Sequence, residues 1–103
     1  MVPKAQLAVL VCADPALANN NTEVWIQDCS AATENLLIAV ASLGLGAVWL
    51  GIHPSHERIM GCRKLFHIPD NIAPFALVPV GWPAEEKGRA KRKTEGRVHY
   101  DRW

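Results

Sequence analysis

A strong charge of one sign is what this 103-residue sequence most conspicuously lacks: 11 Lys and Arg stand against 10 Asp and Glu, a formal net charge of +1. Such a balance gives no field to gather nucleic acid or an anionic membrane surface. Cysteine is scarce as well. Cys12, Cys29 and Cys62 are odd in number, widely spaced and without a C-x-x-C pair. That excludes a disulfide framework and reads as reduced thiols in a cytoplasmic protein. Cys12 and Cys29 lie inside apolar runs, where a buried, inert thiol is expected rather than a nucleophile. Met1-Val2-Pro3-Lys4 leads into a strand-like run with no small-residue cleavage site, so no signal peptide is expected. There is no Ser-centred elbow and no Walker loop. His53, His56 and Cys62 match no zinc pattern. Asp28 and Glu34 stand six apart on a helix and face different sides, which suits solvated or capping charges more than a catalytic pair.

Charge is also missing locally. From Leu36 to Ile52 there are 17 residues without any, but the run is too short for a membrane span and contains three glycines. Its Gly44-Leu45-Gly46 has a helix before it and a strand after it, the reverse of a dinucleotide-binding loop.

What is present is a chain 50% hydrophobic and 20% charged, the composition of a folded protein, and its length suits one domain, residues 1–103. Four tryptophans are many for this length and suit either core or an interface. The stretch Ala31 to Ile52 organises the rest. Trp25, Cys29, Ala32, Leu36, Ala39 and Leu43 recur in steps of four and three, and Ile26, Thr33, Leu37 and Val40 make a second row. The spacing predicts a helix from about Thr22 to Leu43, capped by Asn21 or Thr22 and covered on most sides. Gly44 is expected as a left-handed stop, with Leu45 touching Val40 as a Schellman closure. A strand then runs through Gly46-Ala47-Val48-Trp49-Leu50-Gly51.

The other elements follow the same reasoning. Lys4 to Cys12 reads as a central strand covered on both faces. Ser55 is the expected N-cap of a short amphipathic helix carrying Ile59, Met60, Cys62, Leu65 and Phe66, with Glu57 complementing its dipole. Phe75 to Gly81 reads as a second core strand, in which Pro79 predicts an edge position or a bulge. Residues 84–103 form a polar, basic C-terminal arm, ending in Tyr100 and Trp103, suited to adding a strand or wrapping onto a second copy. Lys87, Arg89, Lys91, Arg92 and Lys93 fall within seven residues of it. The two arginines among them could fork onto a phosphate or carboxylate; a solvated tail and a nucleic-acid patch are the competing readings.

Six ordered pieces together carry a resemblance that none carries alone. Trp25-Ile26-Gln27-Asp28-Cys29-Ser30-Ala31-Ala32, Glu34-Asn35-Leu36-Leu37 and Leu43-Gly44-Leu45-Gly46-Ala47-Val48-Trp49-Leu50-Gly51 come first. Ile68-Pro69-Asp70, Val78-Pro79-Val80-Gly81-Trp82-Pro83-Ala84-Glu85 and Val98-His99-Tyr100-Asp101-Arg102-Trp103 follow in register. Over nearly the whole chain this resembles the nitroreductase family.

The resemblance implies an α+β fold, a three-layer α/β/α arrangement with a mainly antiparallel sheet and a long central helix, here without the N-terminal part of that fold. It implies an FMN-dependent oxidoreductase working as a homodimer, with flavin at the subunit interface. Reducing equivalents would pass from NAD(P)H through the flavin to nitro compounds, quinones or similar acceptors, and neither nucleic acid nor membrane would be a partner. It places Trp49, Leu50 and Gly51 against the isoalloxazine ring, with the Gly51 amide near N5. Arg92, with Arg89 or Lys91 beside it, would meet the flavin phosphate, although Ala90 stands where the family commonly has a basic residue. The Arg-Ser-Arg-like phosphate clamp of the family has no counterpart in this sequence. An alternative reading is a non-catalytic dimerisation or flavin-binding remnant of the fold.

Overall fold

The computed structural model describes residues 2–18, 23–86, 88 and 90–103. A 3-10 turn over Val2–Lys4 precedes strand β1 (Leu7–Ala13) and a second turn at Pro15–Leu17. Helix α1 (Val24–Ser42), the short strands β2 (Gly46–Ala47) and β3 (Leu50–Gly51), helix α2 (His56–Phe66) and strand β4 (Ala73–Gly81) follow. The sheet is four-stranded and antiparallel, with β4 in the middle, β1 on one side and β2 and β3 in succession on the other. This is the α+β arrangement of antiparallel sheet and long helix expected from the sequence. The Asn19-Asn20-Asn21 loop and the Asn21 or Thr22 cap lie outside the described residues; Glu23 holds the cap position without a side-chain bond.

The helix stop forms as expected. Gly44 has φ +72°, its N–H donates to the Ala41 carbonyl at 3.0 Å, and the Leu45 N–H donates to Val40 at 3.1 Å. Those are the two bonds of a Schellman closure. Leu45 then packs with Val40, Val78 and Val80, the core cluster under the end of α1. A second cluster, under the start of α1, joins Cys29, Phe75 and Ala76 to Val11, Trp25, Ile26 and Trp49. Between them Thr33 is wholly buried, its Oγ1 donating to the Cys29 carbonyl at 2.6 Å. A hydroxyl bonded back to the preceding turn leaves no polar group unpaired.

Several expectations are corrected. α1 is covered on one side only: Cys29, Thr33 and Val40 are buried, while Ile38 and Leu43 are mostly exposed. The apolar rows exist, but the described elements offer a single sheet face to pack on. Among the described residues β1 is an edge strand, not a central one, since it pairs there with β4 alone. Cys12 near its end is exposed. The strand expected over 46–51 is interrupted at Val48 and Trp49. Pro79 explains the break. It lies in the central strand rather than at an edge, and the register that pairs Gly46 with Gly81 and Leu50 with Leu77 would set Val48 opposite it. A proline has no N–H to give, so the ladder lapses there. The bulge falls elsewhere. Val11 faces Ala76 and Cys12 faces Pro74, which leaves Phe75 as the extra residue.

α2 has the Ser55 cap that the sequence suggests, with Ser55 Oγ accepting from the Arg58 N–H at 3.5 Å. It packs against β4 on the side of the buried Cys62, while Met60 and Phe66 remain about half exposed and Leu65 more so. Arg63 fastens the helix end to the following loop by donating to the carbonyls of Pro69 and Asp70, the latter at 3.1 Å. Residues 90–103 form no helix or strand. His99 and Trp103 stack on each other, centroids 4.6 Å apart, and Tyr100 and Trp103 are exposed. Among the described residues, no helix is long and apolar enough to cross a membrane.

Candidate functional site

The site expected at Trp49, Leu50 and Gly51 is the outer edge of β3. Leu50 and Gly51 pair with Leu77 and Ala76 of β4. Just beyond, Ile52 and His53 both donate to the Phe75 carbonyl at 3.0 Å, the acceptor that the bulge turns toward them. Successive amides of an extended strand point to opposite sides. With the Ile52 N–H directed at β4, the Gly51 amide therefore points away from the sheet. A methyl group at Gly51 would meet only the His53 carbonyl, at 4.0 Å, so the position has room for a small side chain.

Aromatic rings fix the backbone behind that edge. Trp49 leans on Phe75 with centroids 5.7 Å apart at 59°, and Trp25 meets His53 edge-on at 4.9 Å. His53 in turn stacks over Phe75 at 6.4 Å. Such tilted and edge-on contacts are favourable ring geometries, and they lock both ends of the segment 49–53. This largely half-buried ring cluster was not singled out in the sequence, because its members come from α1, β4, the link between β2 and β3, and the turn after β3.

Arg92 lies apart from these residues, in the exposed arm, where it lines a shallow dent with Lys93, Thr94 and Glu95. Arg89, the other expected phosphate contact, lies outside the described residues. A separate open groove of about 790 Å³ runs along the end of the sheet between Lys4, Gly46, Val48, Pro79, Trp82 and Pro83. Neither Gly51 nor Arg92 lines it.

Side-chain nucleophiles are poorly supplied. Desolvation by burial pushes the thiols of Cys29 and Cys62 up, with the Asp28 carboxylate adding to the effect at Cys29. Cys12 is raised by desolvation first and then by the neighbouring Cys62 and Cys29. All three stay protonated near neutrality, which makes them weak nucleophiles. Among the described residues no group of His, Cys, Asp or Glu could hold a metal ion. The arrangement offers an outward backbone donor at Gly51 and, apart from it, the exposed cation of Arg92 beside Lys93.

Known proteins resemble this chain over most of its length. The pattern of the Nitroreductase family matches residues 2–82. A protein of Archaeoglobus fulgidus named "Putative NADH dehydrogenase/NAD(P)H nitroreductase" is 45% identical over 106 residues, covering all of this chain and 61% of its own length. A protein of the same name from Methanothermobacter thermautotrophicus is 44% identical and is covered over 53% of its length. The FMN reductase (NADPH) of Bacillus subtilis is 28% identical over 85 residues. Among solved structures, a Bacteroides thetaiotaomicron protein named as the archaeal pair are superposes with a TM-score of 0.86 at 38% identity, over 96% of this chain and 56% of its own. The chain thus spans little more than half the length of these archaeal and Bacteroides relatives, and it carries a corresponding part of their fold. It belongs to the nitroreductase family.

Proposed function

We propose that this chain forms the flavin-contacting part of an FMN-dependent oxidoreductase that takes reducing equivalents from NAD(P)H and delivers them to a nitro compound, a quinone or a similar electrophile. The observation that carries the reading is the outward amide of Gly51 on the outer edge of β3, at a residue whose added methyl would meet only the His53 carbonyl. FMN, when bound, supplies the redox chemistry, and protein groups supply binding, orientation and electronic tuning. The Gly51 N–H is a fixed donor for an electron-rich ring nitrogen. Leu50 and Trp49 border the ring seat, and the Trp49–Phe75 contact keeps that border rigid. Arg92, exposed beside Lys93, is suited to the phosphate, with Arg89 as its companion. The printed name of the Bacillus subtilis relative supports FMN, and those of the archaeal relatives support NAD(P)H. No side chain is required to form a covalent bond, in keeping with the protonated thiols.

The active form in this reading is a homodimer. The chain exposes 8633 Å², about half as much again as the roughly 5,700 Å² expected of a compact monomer of this mass. The uncovered sides of α1 and α2 and the extended arm 84–103 contribute to that surplus, and a second copy would bury part of it.

The test is the visible spectrum of the purified chain before and after FMN is added. A bound flavin that bleaches with NADH or NADPH is the expected result. Flavin that binds without turnover would favour the non-catalytic remnant, and a colourless protein would overturn the flavin reading and leave a dimerisation remnant of the fold. Arg92→Ala should weaken FMN binding about tenfold in fluorescence titration, the usual effect of losing one charged contact to phosphate. Unchanged affinity would remove Arg92 from the site.

A further inference from the structure

Arg58 stands in the first turn of α2, where the helix dipole favours an acidic residue such as its neighbour Glu57 and opposes a cation. Its position therefore answers to something outside the helix. Its Nη1 donates to the Gly51 carbonyl at 2.7 Å, seven residues back across the turn that joins β3 to α2. Its own backbone is anchored by the Ser55 cap, so the guanidinium projects from a fixed base. A bond with an ionised donor belongs to the stronger class. The peptide that carries this carbonyl is also held from the other side, where the Ile52 N–H donates to Phe75 at 3.0 Å. The 51–52 peptide is clamped at both ends, which restricts rotation on the carbonyl side of Gly51, a residue free to rotate by nature.

The geometry points to Arg58 as the positioning residue that fixes the outward amide of Gly51 and keeps a positive charge beside it. The inference rests on the flavin reading for its purpose and on the Arg58–Gly51 bond for its substance. Arg58 acts through the backbone, by holding the donor that the ring would meet.

Two measurements on the full 103-residue chain, with Arg58→Met and Arg58→Lys, separate these two supports. The first uses flavin-free protein and follows amide hydrogen exchange. Arg58→Met should speed exchange at Ile52 and His53 about tenfold, the effect of losing one such bond, while Val78 in the core is unchanged. Arg58→Lys should restore most of the protection, since an ammonium can reach the same carbonyl. The second is FMN titration, in which Arg58→Met should bind about tenfold more weakly and Arg58→Lys close to the parent. Exchange at Ile52 and His53 that is the same in all three proteins overturns the positioning role. Altered exchange with equal FMN affinity in all three also overturns it as a determinant of the ring seat. A parent chain that takes up no FMN while exchange responds as expected overturns the flavin reading alone, and the hold of Arg58 on Gly51 stands.

Discussion

At the scale of single residues, Gly51 separates stability from binding. Its backbone is extended and a methyl there meets only the His53 carbonyl at an ordinary 4.0 Å. Gly51→Ala should leave the urea midpoint within about 0.5 kcal/mol of the parent. FMN affinity should nevertheless fall about tenfold, because the methyl stands where the ring approaches. The thiols make a second prediction. Cys29 and Cys62 are raised in the folded chain, so as pH climbs past about 8.5 the unfolded chain ionises first and the folded state loses stability. Below that pH both states hold their protons and the thiols contribute nothing. The fall between about pH 8 and pH 10 in urea titrations should be shallower in a Cys29→Ala, Cys62→Ala variant. The protected state of Cys29 was legible from its apolar run. Cys12 was misread because a similar run sits in a strand with one open edge, and sequence does not say which strand is at the edge. Arg58 went unnoticed altogether. The available signal was a cation in the wrong turn of a helix, which has meaning only once the partner carbonyl is known.

At the scale of elements, local chemistry was the legible part. A glycine after a helical pattern, followed by leucine, specified the closure of α1 down to its two hydrogen bonds, and Ser55 specified the start of α2. Gly44→Ala should destabilise by about 1–2 kcal/mol, since alanine must adopt φ +72°. Nothing lies within 4 Å of the added methyl, so the loss is purely conformational, and Gly44→Asn should recover part of it in thermal unfolding. Pairing between distant segments was not legible. Pro79 signalled that a ladder would fail, but the failure is placed by the register with the segment 46–51 rather than by the strand that contains the proline. Likewise the helical rows of α1 correctly mark apolar positions, and only the number of faces brought against them decides which are covered.

For the molecule as a whole, the radius of gyration of 16.6 Å exceeds the roughly 13 Å of a compact domain of this length. Ordering of motifs made the fold legible where no single motif did, because six weak pieces share one register. Surface completeness was beyond the sequence, since periodicity marks what must be buried without naming the surface that buries it. Sedimentation equilibrium should give a mass near twice the 11.3 kDa chain. A monomer at all concentrations would remove the homodimer from the proposal. Truncation before residue 84 should weaken the association if the arm takes part in it.

In the mostly buried central strand, the apolar segment from Phe75 to Val78 is bracketed by Pro74 and Pro79. Stacked cross-β assemblies need uninterrupted segments of about six or seven residues without proline, and this one is cut to four. The residue that splits β2 from β3 in the folded sheet therefore also acts before folding. While the chain is newly made and its apolar centre is still bare, Pro79 holds that segment below the length a stacked assembly needs.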